Sequence, residues 1–208
     1  MSESENEIEV QAQEAPAAPV DGKSAPADRA TAGPLDASEA NAVRPYVDLG
    51  GVKVLPRPDM QLRLEVEEGS KRVIAVGLDY AESTLQVQPF AAPRSTGLWH
   101  EIRAQIVEQI HKQGGRTHVV EGTFGLEVRA EIPVVGQSGV RLARFVGVDG
   151  PRWFLRGVIA GKGAVEPEAA AKIEELFRSI VVVRGDAPMP PRDLIPLHVP
   201  AGSQARKS

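Results

Sequence analysis

No cysteine occurs among the 208 residues, which excludes a disulfide framework, a thiolate metal site and a cysteine nucleophile. A reducing compartment suits such a chain. No apolar run approaches the roughly 18 residues that a helical membrane span needs. The opening residues "MSESENEIEV" are acidic and lack the basic and apolar stretches of a secretory leader, so a cytosolic location is expected. Aromatic residues are few, at two Trp, two Tyr and five Phe, and each therefore counts heavily in any core. A basic excess is missing too. The net charge of −4 arises at the ends: residues 1–44 hold nine acids against three bases, residues 184–208 two against four, and residues 45–183 balance. A neutral central domain lacks the attraction to phosphates on which nucleic-acid binding depends, which argues against that partner.

What is present sorts into three regions. Residues 1–44 carry eleven alanines and four prolines with no aromatic side chain. They hold too little large apolar surface to offset the entropy of ordering, and a disordered acidic tail is expected. From Pro45 the pattern turns periodic. "VKVL" (52–55), "QLRLEVE" (61–67), "RVIAVGLD" (72–79), "LQVQPF" (85–90), "THVVEG" (117–122) and "LEVRAEIPV" (126–134) read as strands. In 126–134 the alternation sets Leu126, Val128, Ala130, Ile132 and Val134 against Glu127, Arg129 and Glu131, which predicts a polar face for those acids. Pro89 suggests a strand end or an edge.

Period four replaces period two in residues 95–115, where Leu98, Ile102, Ile106 and Ile110 predict an amphipathic helix. Ser95 or Thr96 could cap its start, Gly114-Gly115 would end it, and Glu108 and Lys112 form an i,i+4 pair. A second helix is predicted over 166–180, with Pro167 in its first turn and Ala169, Ile173, Leu176, Phe177 and Ile180 on one stripe. "VVV" (181–183) either extends that helix or pairs as a strand. Strands in runs with short gaps favour antiparallel pairing. The predicted fold over 45–183 is therefore α+β, a mostly antiparallel sheet with two packed helices, with an α/β/α sandwich as one such arrangement. Residues 184–208 are proline-rich, yet Leu194, Ile195 and Leu197 are too apolar for a plain linker and are expected to lie on the domain or on a partner.

The stretch "RFVGVDGPRWFLRG" (144–157) reads as a hairpin. With Asp149-Gly150 as its two-residue turn, Phe145 pairs with Phe154, flanked by Arg141, Arg152 and Arg156. Leu142, Val146, Trp153, Leu155 and Ile159 then share the opposite face. Rings beside guanidiniums can form a base-stacking platform. They can equally be a cross-strand core pair with arginines at its rim, which the neutral domain favours.

Signals for chemistry are weak. Gly161-Lys162-Gly163 lacks both the spacing and the hydroxyl of a phosphate loop, and reads as a strand-to-helix turn. His100, His111, His118 and His198 show no metal-ligand spacing. Ser138 does not complete G-x-S-x-G. Asp79, with Tyr80 and Glu82 beside it, is a solvated loop acid by default. No catalytic residue, cofactor or metal is expected.

"PYVDLGGVKVLPRPDMQLRLEV", "LQVQPFAAPRSTGLWHEIRAQI" and "DGPRWFLRGVIAGKGA" together resemble an uncharacterised family of actinobacterial cytosolic proteins known only as a domain of unknown function. The resemblance spans roughly 45–200 and implies no activity, cofactor or catalytic residue. The element order also resembles the α/β/α sandwich of the photosystem accessory protein PsbP and of a Ran-binding nuclear-transport factor, a likeness of fold alone. The leading expectation is a non-enzymatic module that binds another protein through Phe145, Phe154 and the neighbouring arginines, or through Leu194, Ile195 and Leu197. The rivals are a small-molecule or nucleotide-handling enzyme drawing on His100, Arg103, Asp79 or Lys162, and a single-stranded nucleic-acid binder through the hairpin.

Overall fold

The computed structural model describes residues 22–201. In chain order the elements are α1 (Arg29–Ala32), β1 (Leu35–Asp36), β2 (Val47–Asp48), β3 (Val52–Val54), β4 (Gln61–Val66), β5 (Val73–Tyr80), β6 (Ser83–Ala91), α2 (Trp99–Lys112), β7 (Arg116–Gly122), β8 (Gly125–Pro133), β9 (Val140–Gly150), β10 (Trp153–Gly161), α3 (Pro167–Arg178) and β11 (Val181–Val182). Strands β4-β5-β6-β10-β9-β8-β7 form one antiparallel sheet, and β1-β11-β3-β2 form a small mixed one. The fold is α+β with two main helices, as the periodicities predicted. "VVV" is a strand rather than a helical turn, because its first two valines pair with β1 and β3.

Alternation gives the large sheet two apolar faces, and each has its own cover. On one side α3 and the small sheet bury Leu78, Leu85, Val87, Val146, Leu155 and Ile159 with Ile173, Leu176 and Phe177. On the other, α2 brings Trp99, Ile106 and Ile110 onto Val128, Ala130, Phe145 and Phe154. Close approach of these layers depends on missing side chains: a Cβ at Gly147 would lie 2.4 Å from the Trp99 ring, and one at Gly157 would lie 2.8 Å from the Phe177 ring.

The hairpin turns later than its Asp-Gly pair suggests. Pro151-Arg152 is the turn, with Arg152 at φ 58°, so Phe145 pairs with Val158 and Phe154 with Asp149. Proline suits the first turn position and has no N–H to give to a ladder. Each face keeps its residues because the register moves by an even number. Phe154 stacks on Phe90 of β6 at 6.1 Å and on Trp99 at 5.8 Å, in place of the expected Phe145–Phe154 pair.

Asp149, freed from the turn, caps α2 from a distance. Its carboxylate accepts the Leu98 N–H at 2.8 Å and the Ser24 N–H at 2.9 Å. Neither Ser95 nor Thr96 is the cap; the helix starts at Trp99. Burial raises the Asp149 carboxyl above the usual range, while the N–H groups of Leu98, Ser24 and Trp99 and the Lys23 ammonium pull the other way.

The boundary expected at residue 44 shifts, because residues 22–44 lie on the domain. Buried Trp153 needs a partner for its indole N–H and finds Asp36 Oδ1 at 2.9 Å. Arg29 lies over the same ring at 5.5 Å and forks onto Glu39 at 2.7 and 2.9 Å. Leu35 pairs with Val181. The remainder of the expected acidic tail, residues 1–21, and the end of the expected C-terminal segment, 202–208, lie outside the described residues.

Glu127 is not on a polar face. It is buried with Arg144, whose guanidinium forks onto it at 2.9 and 2.8 Å and also reaches Glu174 of α3 at 2.6 Å and the Gly163 carbonyl at 3.2 Å. A buried charge pair of this kind is tolerated because its lone pairs and N–H groups are largely satisfied.

Candidate functional site

Phe145 is 9% exposed and Phe154 fully buried, both beneath α2, so neither ring has a face free for a base. The C-terminal segment is likewise occupied within the chain. Leu194 bridges to Phe90, Leu197 bridges to Gly50 and Val73, and the Ile195 N–H donates to the Pro89 carbonyl. Ile195 and Leu197 are buried in the α3-side core. This strap also explains Pro89 inside a sheet strand. Beyond Val87 the pairing of β6 with β5 stops, although β5 itself runs on to Val73, and the β6 backbone faces the strap instead.

The four catalytic candidates are dispersed. Asp79 accepts bonds from Arg63 at 2.8 and 3.0 Å and from Thr84 at 3.0 Å, and the Arg63 bonds hold its carboxyl below the usual range. Lys162 donates to Glu82 at 2.7 Å. Asp79, Glu82 and Gly161 line an open depression of about 390 Å³ at that end of the sheet. His100 and Arg103 contact each other at 3.3 Å on α2, and Arg103 lies over Trp99, which stacks on Phe154 near the start of β10. With β10 running between, the two pairs are roughly 20 Å or more apart at the usual strand rise. Among the described residues no three His, Asp or Glu side chains gather as metal ligands, and no helix is long and apolar enough to cross a membrane.

Among the described residues, each face of the large sheet has a part left uncovered. On the α2 side, β4, β5, β6 and the lower end of β10 present Arg63, Glu65, Asp79, Gln86, Gln88 and Arg156. Most of these engage one another: Arg63 binds Asp79, Gln86 donates to Glu65, and Gln88 donates to the Ile74 carbonyl at 2.9 Å. Arg156 does not join them. Among the described residues its Nε is buried without a partner, and burial holds the guanidinium below its ordinary value.

On the α3 side, the far ends of β8 and β9 project past the helix. Leu142 shares the predicted face with Val146 and Trp153 but is 41% exposed, because α3 does not reach it; Val140 is 54% exposed and Val165 56%. Leu142 and Ala164 line a common hollow of about 140 Å³ with His118, Arg129 and Glu131, which joins β9 to the loop before α3. Sequence reading missed both areas. Leu142 and Val140 carry the right parity for the core, and only the length of α3 decides that they are left outside it.

Residues 33–206 match the family described as a protein of unknown function, DUF3710. The chain belongs to the DUF3710 family. That span takes in β1 and the C-terminal segment, so the DUF3710 unit begins before Pro45. Among curated proteins none matches. The DUF3710 chain is similar in fold to cyanobacterial PsbP (CyanoP) from Synechocystis sp. PCC 6803, at 11% identity and a TM-score of 0.37, over 64% of this chain and 87% of that one. This distant PsbP-like likeness concerns fold only.

Proposed function

We propose that this DUF3710 chain is a non-catalytic, cytosolic protein-interaction module that docks a partner through the aliphatic area of Val140, Leu142 and Val165. The observation that carries the reading is the aliphatic surface that Val140, Leu142 and Val165 leave in water, where β9 meets the segment leading into α3. The dispersal of Asp79, Lys162, His100 and Arg103, and the ion pairs that engage the first two, supports the non-catalytic half of the reading. The test is capture from native lysate by the tagged full chain and by a Val140→Asp/Leu142→Asp variant of unchanged thermal midpoint. A stoichiometric protein partner that the variant loses is the expected result. Recovery of none by the wild type, or equal recovery by the variant, defeats the reading.

A further inference from the structure

The large sheet ends in two edge strands, β4 and β7. An open edge is a template for further pairing, and folded chains blunt it with a bulge, a proline or a lysine. β4 is blunted: its register with β5 shifts at a bulge between Glu65 and Val66, and Pro56 and Pro58 precede it. β7 has none of these devices. It pairs with β8 in one unbroken register from Arg116 to Gly122. Gly122 and Gly125 close that hairpin around Thr123-Phe124 and so exchange both backbone hydrogen bonds, and from there bonding alternates along the strand. Val120, His118 and Arg116 therefore direct their N–H and C=O groups at β8. Those of Thr117, Val119 and Glu121 point away from the sheet, and none meets a backbone partner among the described residues. Val119, at the middle of this row, is 48% exposed.

The open row is its own complement. It is centred on Val119, so an antiparallel two-fold there sets Val119 against Val119 and Thr117 against Glu121, and every outward N–H meets an outward C=O. We propose that β7 pairs in this register with β7 of a second copy of this chain, joining the two seven-stranded sheets edge to edge. The side chains agree with it. No like charges stand opposite each other, because Arg116 faces Gly122, His118 faces Val120 and Glu121 faces Thr117. The two Val119 side chains cover each other at the axis, on the face where neighbouring Val128 packs beneath α2. This edge is separate from Val140, Leu142 and Val165 and does not depend on their having a partner. A single seven-residue edge makes a small interface, so the dimer is weak, with a dissociation constant of roughly 10–100 µM expected.

The experiment is sedimentation equilibrium of the full chain over about 2–500 µM, with amide hydrogen exchange measured at both ends of that range. A monomer–dimer equilibrium is expected, with exchange at Thr117, Val119 and Glu121 slower at the high concentration and exchange along β4 unchanged. Val119→Lys supplies the charge that guards other edges, and Val119→Pro removes the outward N–H while leaving the bonds to β8 in place; each is expected to weaken the dimer at least about tenfold. Val66→Lys, at a β4 position that is also 48% exposed, and Val140→Asp/Leu142→Asp are expected to leave it unchanged. A chain that stays monomeric throughout, or a dimer that survives both Val119 substitutions, overturns the proposal. So does a dimer lost in Val140→Asp/Leu142→Asp, which assigns self-association to the aliphatic area instead. Equal protection of the three amides at every concentration puts another segment of the same chain on the edge and also overturns it. Should the Val119 variants fail to fold, the concentration dependence of exchange in the wild type decides alone.

Discussion

The two uncovered areas of the sheet differ in what they leave in water. The area beside α2 is a mat of long polar side chains lying over Ala75 and Gly77, and apart from Arg156 its members satisfy one another. The area beyond α3 exposes Val140 and Leu142 of β9 and Val165 of the segment before α3, whereas Phe145, Val146 and Val148 farther along β9 are buried. A polar mat is stable in water by itself, whereas exposed aliphatic side chains gain free energy when something covers them. Among the described residues the first area is a largely self-satisfied polar surface, and the second leaves aliphatic side chains without a cover.

The sharpest way to test the contrast between covered and open regions is through their ion pairs. Arg144→Met leaves Glu127 buried with only half-exposed Arg129 for company and is expected to cost about 3–5 kcal/mol in urea unfolding. Arg63→Met, on the open mat, removes an equally well-formed bidentate pair and is expected to cost less than about 1 kcal/mol. Comparable losses would mean that the mat is not solvated at all. Next in size is Asp149→Ala, which orphans the N–H groups of Leu98 and Ser24 and is expected to cost about 2 kcal/mol. Gly147→Ala drives a methyl into Trp99 and is expected to cost about 1–3 kcal/mol, unless α2 can shift off the sheet.

The smallest effects concern pH, where the two carboxylates have opposite signs. Asp79 is lowered in the folded chain, so its contribution is present above the unfolded value of about 3.9 and fades as pH falls through the folded value. Asp149 is raised, so its contribution is fully present below about 3.9 and is lost as pH rises through the folded value. Stability measured from acid to neutral pH should therefore flatten at the acid end in Arg63→Met, which releases Asp79. A Gln86→Ser change on the mat is expected to leave both stability and partner capture unaltered within error, unlike Val140→Asp/Leu142→Asp.

Much of the architecture was legible in residue order. The periods of "QLRLEVE" and "LEVRAEIPV" mark β4 and β8, the four-residue spacing of Leu98, Ile102, Ile106 and Ile110 marks α2, and Gly114-Gly115 ends it as expected. Glu108 and Lys112 meet at 2.7 Å as their spacing predicts. The N-terminal boundary was not legible, because the reason residues 22–44 are held is Trp153, more than a hundred positions away. Nothing local distinguishes an alanine-rich segment that caps a tryptophan from one that does not.

The candidate sites show the same limit. Parity correctly put Phe145, Phe154 and Arg156 on one face, but the hairpin register and the placement of α2 decided that the rings are buried and the arginine is left without a partner. Glu127 and Arg144 look like members of polar rows, and they face each other only because β8 and β9 are adjacent beneath α3. By itself the sequence determined which residues could share a strand face or a helix stripe, because those periods are properties of the backbone. Only the tertiary structure decided which face is covered, by what and over what length, because burial depends on where distant segments come to rest.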